Sequence, residues 1–206
     1  MTTSRTSFNE TWLAEMPVRL GEFGDLFDYI SKSVSEWKQS GKSVEKLPNN
    51  LFRLQGNMLA YYWLGTKDEM FVVAELEKKA QVYAVTMVGK NPKYKNIGPY
   101  AADLYKEIVG NVPLSLLFSD AQISDDGIKL WKRLISDPNY VVSVYNVRNP
   151  GASFTQINTP DDIAQYMDNY QLRFILSHAK INLAETRSFF NTRRYRELAG
   201  MPNDQD

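Results

Sequence analysis

The 206-residue chain contains no cysteine. Disulfides, thiolate metal sites and a cysteine nucleophile are therefore excluded. It has one histidine, His178, too little for a histidine-based triad or a multi-histidine metal site. Neither sign of charge is in excess, because 24 Lys plus Arg balance 24 Asp plus Glu. A neutral chain is poorly suited to coating nucleic acid, since that affinity comes from neutralising phosphates. No apolar run approaches the roughly 18 residues of a membrane helix. Residues 1–9 are polar and lack the apolar centre of a secretory signal. These absences predict a soluble protein of the cytoplasm.

What is present is an ordinary globular composition, 43% hydrophobic and 23% charged, at a length suited to one domain. Residues 1–8 are expected to be a disordered lead and 201–206 a tail. Residues 9–200 are expected to form a single domain with a helical extension over about 160–200.

The apolar spacing supplies the elements. Leu26, Tyr29, Ile30, Val34 and Trp37 recur at helical intervals, which predicts a helix over 25–39 with Gly41 as its stop. Four strands are predicted at 51–54, 58–64, 70–77 and 81–88. The connections between them are a few residues each, and such short links join only antiparallel neighbours. In the fourth strand, strict alternation puts Val82, Ala84, Thr86 and Val88 on one side and Tyr83, Val85 and Met87 on the other. Both sides are largely apolar, so this strand is expected to be central.

Residues 89–98 then read as a loop carrying Lys90, Lys93 and Lys95 with no acid. A helix is expected from Pro99, a favoured first helical residue, with Gly110 as its C-terminal cap. A strand over 113–118 follows. Ser124 is the expected cap of the next helix, stapled by Ile123 and Ile128 and buried through Trp131, Leu134 and Ile135. Another strand is read at 140–147 and a short helix at 159–162. Residues 170–176 fit strand or helix, and a last helix is expected over 182–199. A strand–helix–strand step in one sheet forces a parallel pair through a right-handed crossover. The fold class is therefore α+β, α/β-like in part: an antiparallel meander, then a β-α-β crossover, with helices on both faces.

This succession over about 23–147 resembles the GNAT (general N-acetyltransferase) family. That family's pyrophosphate loop reads Arg or Gln, two residues, Gly, one residue, then Gly or Ala. Here the segment is Lys95, Asn96, Ile97, Gly98, Pro99, Tyr100, Ala101. Lys stands for Arg, Tyr100 takes a small-residue position, and Pro99 removes an amide donor. The family's later helix reads Asn, two residues, Ala, two residues, an apolar residue, then Tyr. Here Ser124, Gly127, Leu130 and Trp131 stand at that spacing. The family's Tyr often acts as general acid for the departing CoA thiolate. An indole N–H at Trp131 cannot do so near neutral pH. The Gly-Phe that usually follows is absent, and Ile135-Ser136 stands there.

A narrower resemblance lies in the wording VGKNPKYKNIGPYAADLY, SDAQISDDGIKLWKRL, VSVYNVRNPG and RRYRELAGM. These segments are similar to proteins of contractile-tailed bacteriophages, some described as inhibitors of the prohead protease. That resemblance implies a capsid-assembly regulator in the host cytoplasm, associated with phage heads, that works by binding a protein partner.

The site expectations follow from the resemblances. Either no cofactor is used, or acetyl-CoA is held by Val88, Lys95, Gly98, Tyr100 and Ala101. Glu75 and Tyr83 are the catalytic candidates, Glu75 as the base that deprotonates an amine. The bland readings are a solvated basic loop, two exposed carboxylates (Glu75 and Glu77) and a core tyrosine. Lone His178 is read as a surface or capping residue. Between residues 173 and 196, six Lys and Arg face Glu185 alone. Arg193, Arg194 and Arg196 are the expected contacts for an acidic protein surface. A solvated helix face and a nucleic-acid-binding module are the other readings of that stretch. Three functions thus stand: a GNAT-like protein of weak or lost activity that regulates a partner, an active acyl-CoA-dependent N-acetyltransferase, and a nucleic-acid binder.

Overall fold

The computed structural model of the chain describes residues 23–79, 82–112, 116–119, 125–146, 154–166, 169 and 171–179. Its centre is a nine-stranded mixed sheet. The strands are β1 (Glu45–Lys46), β2 (Leu51–Gln55), β3 (Leu59–Gly65), β4 (Met70–Lys79), β5 (Val82–Lys90), β6 (Leu116–Phe118), β7 (Tyr140–Asn146), β8 (Thr155–Gln156) and β9 (Leu172–His178). Among the described residues three α-helices accompany them: α1 (Phe23–Gln39), α2 (Ala101–Asn111) and α3 (Asp125–Ile135). The strand order is β1-β2-β3-β4-β5-β6-β9-β7-β8.

β1 to β5 pair antiparallel in chain order, as the short connections require. β5 then pairs parallel with β6, Tyr83 opposite Leu117, and α2 lies between them in the chain. The expected meander and crossover are both present, in the arrangement the GNAT resemblance implies. Of residues 170–176, undecided by periodicity, 172–176 belong to β9, and Tyr170 lies outside the described residues. That strand lies between β6 and β7 and runs antiparallel to both. The short helix at 159–162 is a 3-10 segment, Pro160–Tyr166. The predicted staple at Ile123 and cap at Ser124 lie outside the described residues, as do the ends 1–22 and 180–206.

Alternation sorts the sheet's side chains into two cores. On one face Phe27, Ile30 and Val34 of α1 pack on Phe52, Leu54, Tyr61, Trp63 and Val73. On the other, Leu104, Tyr105 and Ile108 of α2 and Trp131 and Leu134 of α3 cover Leu51, Tyr62, Leu64, Val72 and Leu76. Each such fully buried large side chain contributes roughly 1.5–3 kcal/mol. The helix α1 ends where expected, and Gly41 follows in a left-handed conformation, φ +87°. Its N-terminal turn sits directly on β5: a Cβ on Gly89 would lie 2.4 Å from Phe27 N and 2.5 Å from Phe27 Cα. Only glycine permits that approach of helix to strand.

Two expectations for the crossover region change. The helix α2 starts at Ala101, with Tyr100 as its cap residue, and Gly110 lies inside it. The alternation expected along β5 is also broken. Glu75 pairs with Met87 and Leu76 with Val85, so Thr86 is the extra residue of a β-bulge. Tyr83 and Val85 face the α2 side. Beyond the bulge Met87 joins the α1 core, and Val88 packs toward α2.

Candidate functional site

The sheet opens where β5 and β6 part. Their pairing ends at Ala84 opposite Phe118. β5 runs on to Lys90 with no strand on that side among the described residues. The opening, roofed by the start of α2 and by α3, holds a cavity of about 720 Å3. Of the expected cofactor residues, Val88, Lys95, Tyr100 and Ala101 line it. Gly98 does not; it is an exposed turn residue with φ +75°.

The loop that shapes the cavity is tied down locally. Pro92–Tyr94 form a 3-10 turn capped by Asn91, whose Oδ1 accepts from Lys93 N at 3.0 Å. The Asn91 amide donates to Met70 O at 3.0 Å. Glu69, from the β3–β4 turn, accepts from Lys93 Nζ at 2.8 Å and from the Tyr94 hydroxyl. Lys93 is therefore spoken for by Glu69, and two lysines of the loop face the cavity instead of three.

Two further cations come from α3, Lys129 and Arg133, with Asp126 the acid among the lining residues. Lys129 Nζ pairs with Asp126 at 2.8 Å. That leaves Lys90, Lys95 and Arg133 outside any ion pair among the described residues, while Val88, Tyr100, Ala101 and Leu130 give apolar wall. Lys90 Nζ is shielded from solvent and has no hydrogen-bond partner among the described residues. It lies 3.6 Å from the centroid of the Tyr100 ring. The Arg133 guanidinium lies over the same ring at 5.1 Å. Burial holds the Lys90 ammonium below its ordinary pKa; Asp103 pulls it back up, and Arg133 pushes it further down.

The start of α2 is self-capped. Tyr100 N donates to the Asp103 carboxylate at 2.7 Å. Pro99 has no N–H to offer. The amides expected to cradle phosphate are thus partly missing and partly occupied.

The catalytic candidates stand apart from this cavity. Glu75 is 8% exposed, not the exposed strand residue of the bland reading, and so is Glu77. The Thr86 hydroxyl, on the bulge, donates to Glu75 Oε1 at 2.8 Å. Tyr61 stands opposite Glu75 on the neighbouring strand, and burial, reinforced by that carboxylate, pushes its phenol pKa well up. Tyr61 belongs to the α1 core, so Glu75 lies on the α1 face of the sheet while the cavity lies on the α2 face. Tyr83 is 4% exposed and packs edge-on against Tyr62 at 5.9 Å. Trp131 is buried between Tyr105 and Phe174. His178 ends β9 with its ring against Tyr140 at 5.6 Å. Arg193, Arg194 and Arg196 lie outside the described residues.

Sequence reasoning passed over Arg133 and Lys129. They sit four apart on one face of α3, a helical spacing that was legible, but nothing local tied that face to the loop at 89–98. No cluster of three potential metal ligands is present among the described residues, and no described helix is long and apolar enough to cross a membrane.

No protein-family model matches the chain, and no curated protein sequence matches it. A solved chain assigned to the GNAT family of acetyltransferases, from Bacteroides thetaiotaomicron, is similar at TM-score 0.36 and 13% identity. The likeness covers 80% of this chain and 94% of that one.

Proposed function

We propose that this chain is a GNAT-like protein that holds a phosphate-bearing ligand of the acyl-CoA class in the cavity between β5, α2 and α3, and that acyl transfer in it is weak or lost. The observation that carries the reading is the gathering of Lys90, Lys95 and Arg133, three cations that no ion pair engages among the described residues, around one partly apolar cavity. Cations and an apolar wall together suit a ligand with phosphates at one part and a hydrocarbon arm at another.

Weak chemistry is supported by the candidates' surroundings. Trp131, at the position where the resemblance expects a tyrosine acid, is 3% exposed in the core. Glu75 is separated from the cavity by the sheet and already accepts from Thr86. In this reading the protein acts through a partner. The phage resemblance makes the prohead protease the partner to try first, with Arg193, Arg194 and Arg196 as its contacts. An active N-acetyltransferase using Glu75 as base is the second reading. It is supported by the buried, hydrogen-bonded state of that carboxylate on the strand next to the opening.

Calorimetric titration of the full chain with acetyl-CoA tests the proposal. Saturable binding at one site is expected. Absence of binding at millimolar ligand would overturn it.

A further inference from the structure

Lys90 poses a problem that the fold alone does not solve. Its ammonium carries three donors and no acceptor. Shielding such a group without a partner is costly. Here it is shielded, no acceptor reaches it among the described residues, and its nearest company is the face of Tyr100 at 3.6 Å. The ring attracts a cation through its quadrupole but takes none of its protons in a conventional hydrogen bond. A second cation, Arg133, lies over the same ring at 5.1 Å. Two like charges are thereby held together, on the wall of a cavity, by one aromatic side chain. An anion in the cavity would supply what both lack: acceptors for Nζ, and a planar match for the guanidinium fork.

The alternative anion receptor, the N-terminus of α2, is compromised. Asp103 Oδ2 already accepts from Tyr100 N, Pro99 offers no donor, and a carboxylate there repels an incoming phosphate.

Resting on the reading that the cavity takes a phosphate-bearing ligand, we infer that its anionic groups are recognised by the side chains of Lys90 and Arg133 on the Tyr100 ring, and that Asp103 is a built-in competitor that weakens binding. Recognition is by side-chain cations, and the helix amides are secondary. The Asp103 carboxylate acts twice: it occupies the cap, and it draws on the same ammonium that the ligand needs.

The test is calorimetry of the full chain with two probes, inorganic pyrophosphate and acetyl-CoA. The proteins are wild type, Lys90→Met, Arg133→Gln and Asp103→Asn. Asn keeps a cap acceptor while removing the charge. Each cation variant should bind both probes about ten-fold or more weakly, the worth of one charge-assisted hydrogen bond. Asp103→Asn should bind them several-fold more tightly. A thermal melt serves as the folding control. Lys90→Met should melt at or above the wild type, since an apolar chain replaces a partnerless ammonium. Arg133 is exposed, so Arg133→Gln decides alone if Lys90→Met misfolds.

Pyrophosphate bound and weakened by the variants, with acetyl-CoA ignored, would uphold the inference and overturn the acyl-CoA reading. Acetyl-CoA bound equally by wild type and both cation variants would uphold that reading and overturn the inference. Failure of the wild type to bind either probe would overturn both.

Discussion

Replacing Gly89 by alanine asks whether α1 really rests on the strand that carries the site. The new Cβ would lie 2.4 Å from Phe27 N, 2.5 Å from Phe27 Cα and 3.0 Å from Leu26 C. Ordinary carbon contacts are about 3.5–4.0 Å, so helix and strand must separate by about 1 Å. All three clashing atoms are backbone, and no side-chain rotation relieves them. A gap of 0.5–1 Å already loses about a quarter to a half of a contact's dispersion energy. The residues that would feel it are Phe27, Ile30 and Val34, all buried on this face. Overpacking costs typically about 1–3 kcal/mol, occasionally more, and a backbone clash belongs at the upper end, about 3 kcal/mol. With a urea slope of about 2 kcal/mol per molar, the midpoint should fall by about 1.5 M. Gly110→Ala is the opposing control. It is exposed, helical, and its Cβ would meet Tyr140 OH at an ordinary 3.8 Å. That change should stabilise by up to about 0.5–1 kcal/mol. Urea melts followed by circular dichroism read both. An unchanged midpoint for Gly89→Ala would refute the placement of α1 on β5.

Other expectations can be checked in the same way. Thr86→Val removes the donor at 2.8 Å to a buried carboxylate with little change in volume; a loss of about 1.5–3 kcal/mol in urea melts is expected. Asp137 is held below the ordinary aspartate pKa, first by its hydrogen bond from Lys106, the pair standing at 2.6 Å with both side chains 21% exposed. A depressed carboxylate stabilises fully above its unfolded pKa, and that stabilisation is lost as pH falls through the folded value. Lys106→Met should therefore cost about 1 kcal/mol at neutral pH, and the deficit should shrink as pH drops below the ordinary aspartate range, read from melts across pH. Steady-state release of CoA thiol with a panel of amines should give turnover far below the enzyme median of about 10 per second; turnover near that value would refute the weak-transfer reading.

The meander was legible because its connections leave no alternative. Gly56, the turn at 65–68 and the lysines near 78–79 are too few to carry a crossover, and β2 to β5 pair antiparallel as that demands. The parallel step from β5 to β6 was legible for the complementary reason, a helix-length connection. The place of β9 was not. From β6 through α3 the chain returns to β7 and leaves one strand's width open, and nothing local says that residues 172–178 will fill it. The two-residue strands β1 and β8 are too short for any period to register. Among the site residues, the loop at 89–98 announced itself through Pro92, Gly98 and Pro99, whereas Asp103 and Arg133 acquire meaning only when α2 and α3 meet over β5.

The bulge at Thr86 shows why an apolar strand conceals its own phase. Val82, Tyr83, Ala84, Val85, Met87 and Val88 fit either face, so no polar residue marks where the alternation slips. Yet two demands on β5 can be met together only if it slips. Tyr83 and Val85 must face α2 to fill the core with Leu104 and Trp131. Gly89 must face α1, because Phe27's backbone lies where any side chain would be. In an unbroken strand positions 83, 85 and 89 share a face, and these demands conflict. One extra residue between 85 and 87 resolves the conflict and turns Val88 and Lys90 toward α2. The same insertion that seats α1 therefore delivers Lys90 to the cavity and leaves Thr86 beside Glu75. Were Thr86 instead paired into an unbroken strand, Gly89 would turn to the α2 side and Lys90 to the α1 side, so the packing of the helix and the charge of the site both depend on the bulge at this residue.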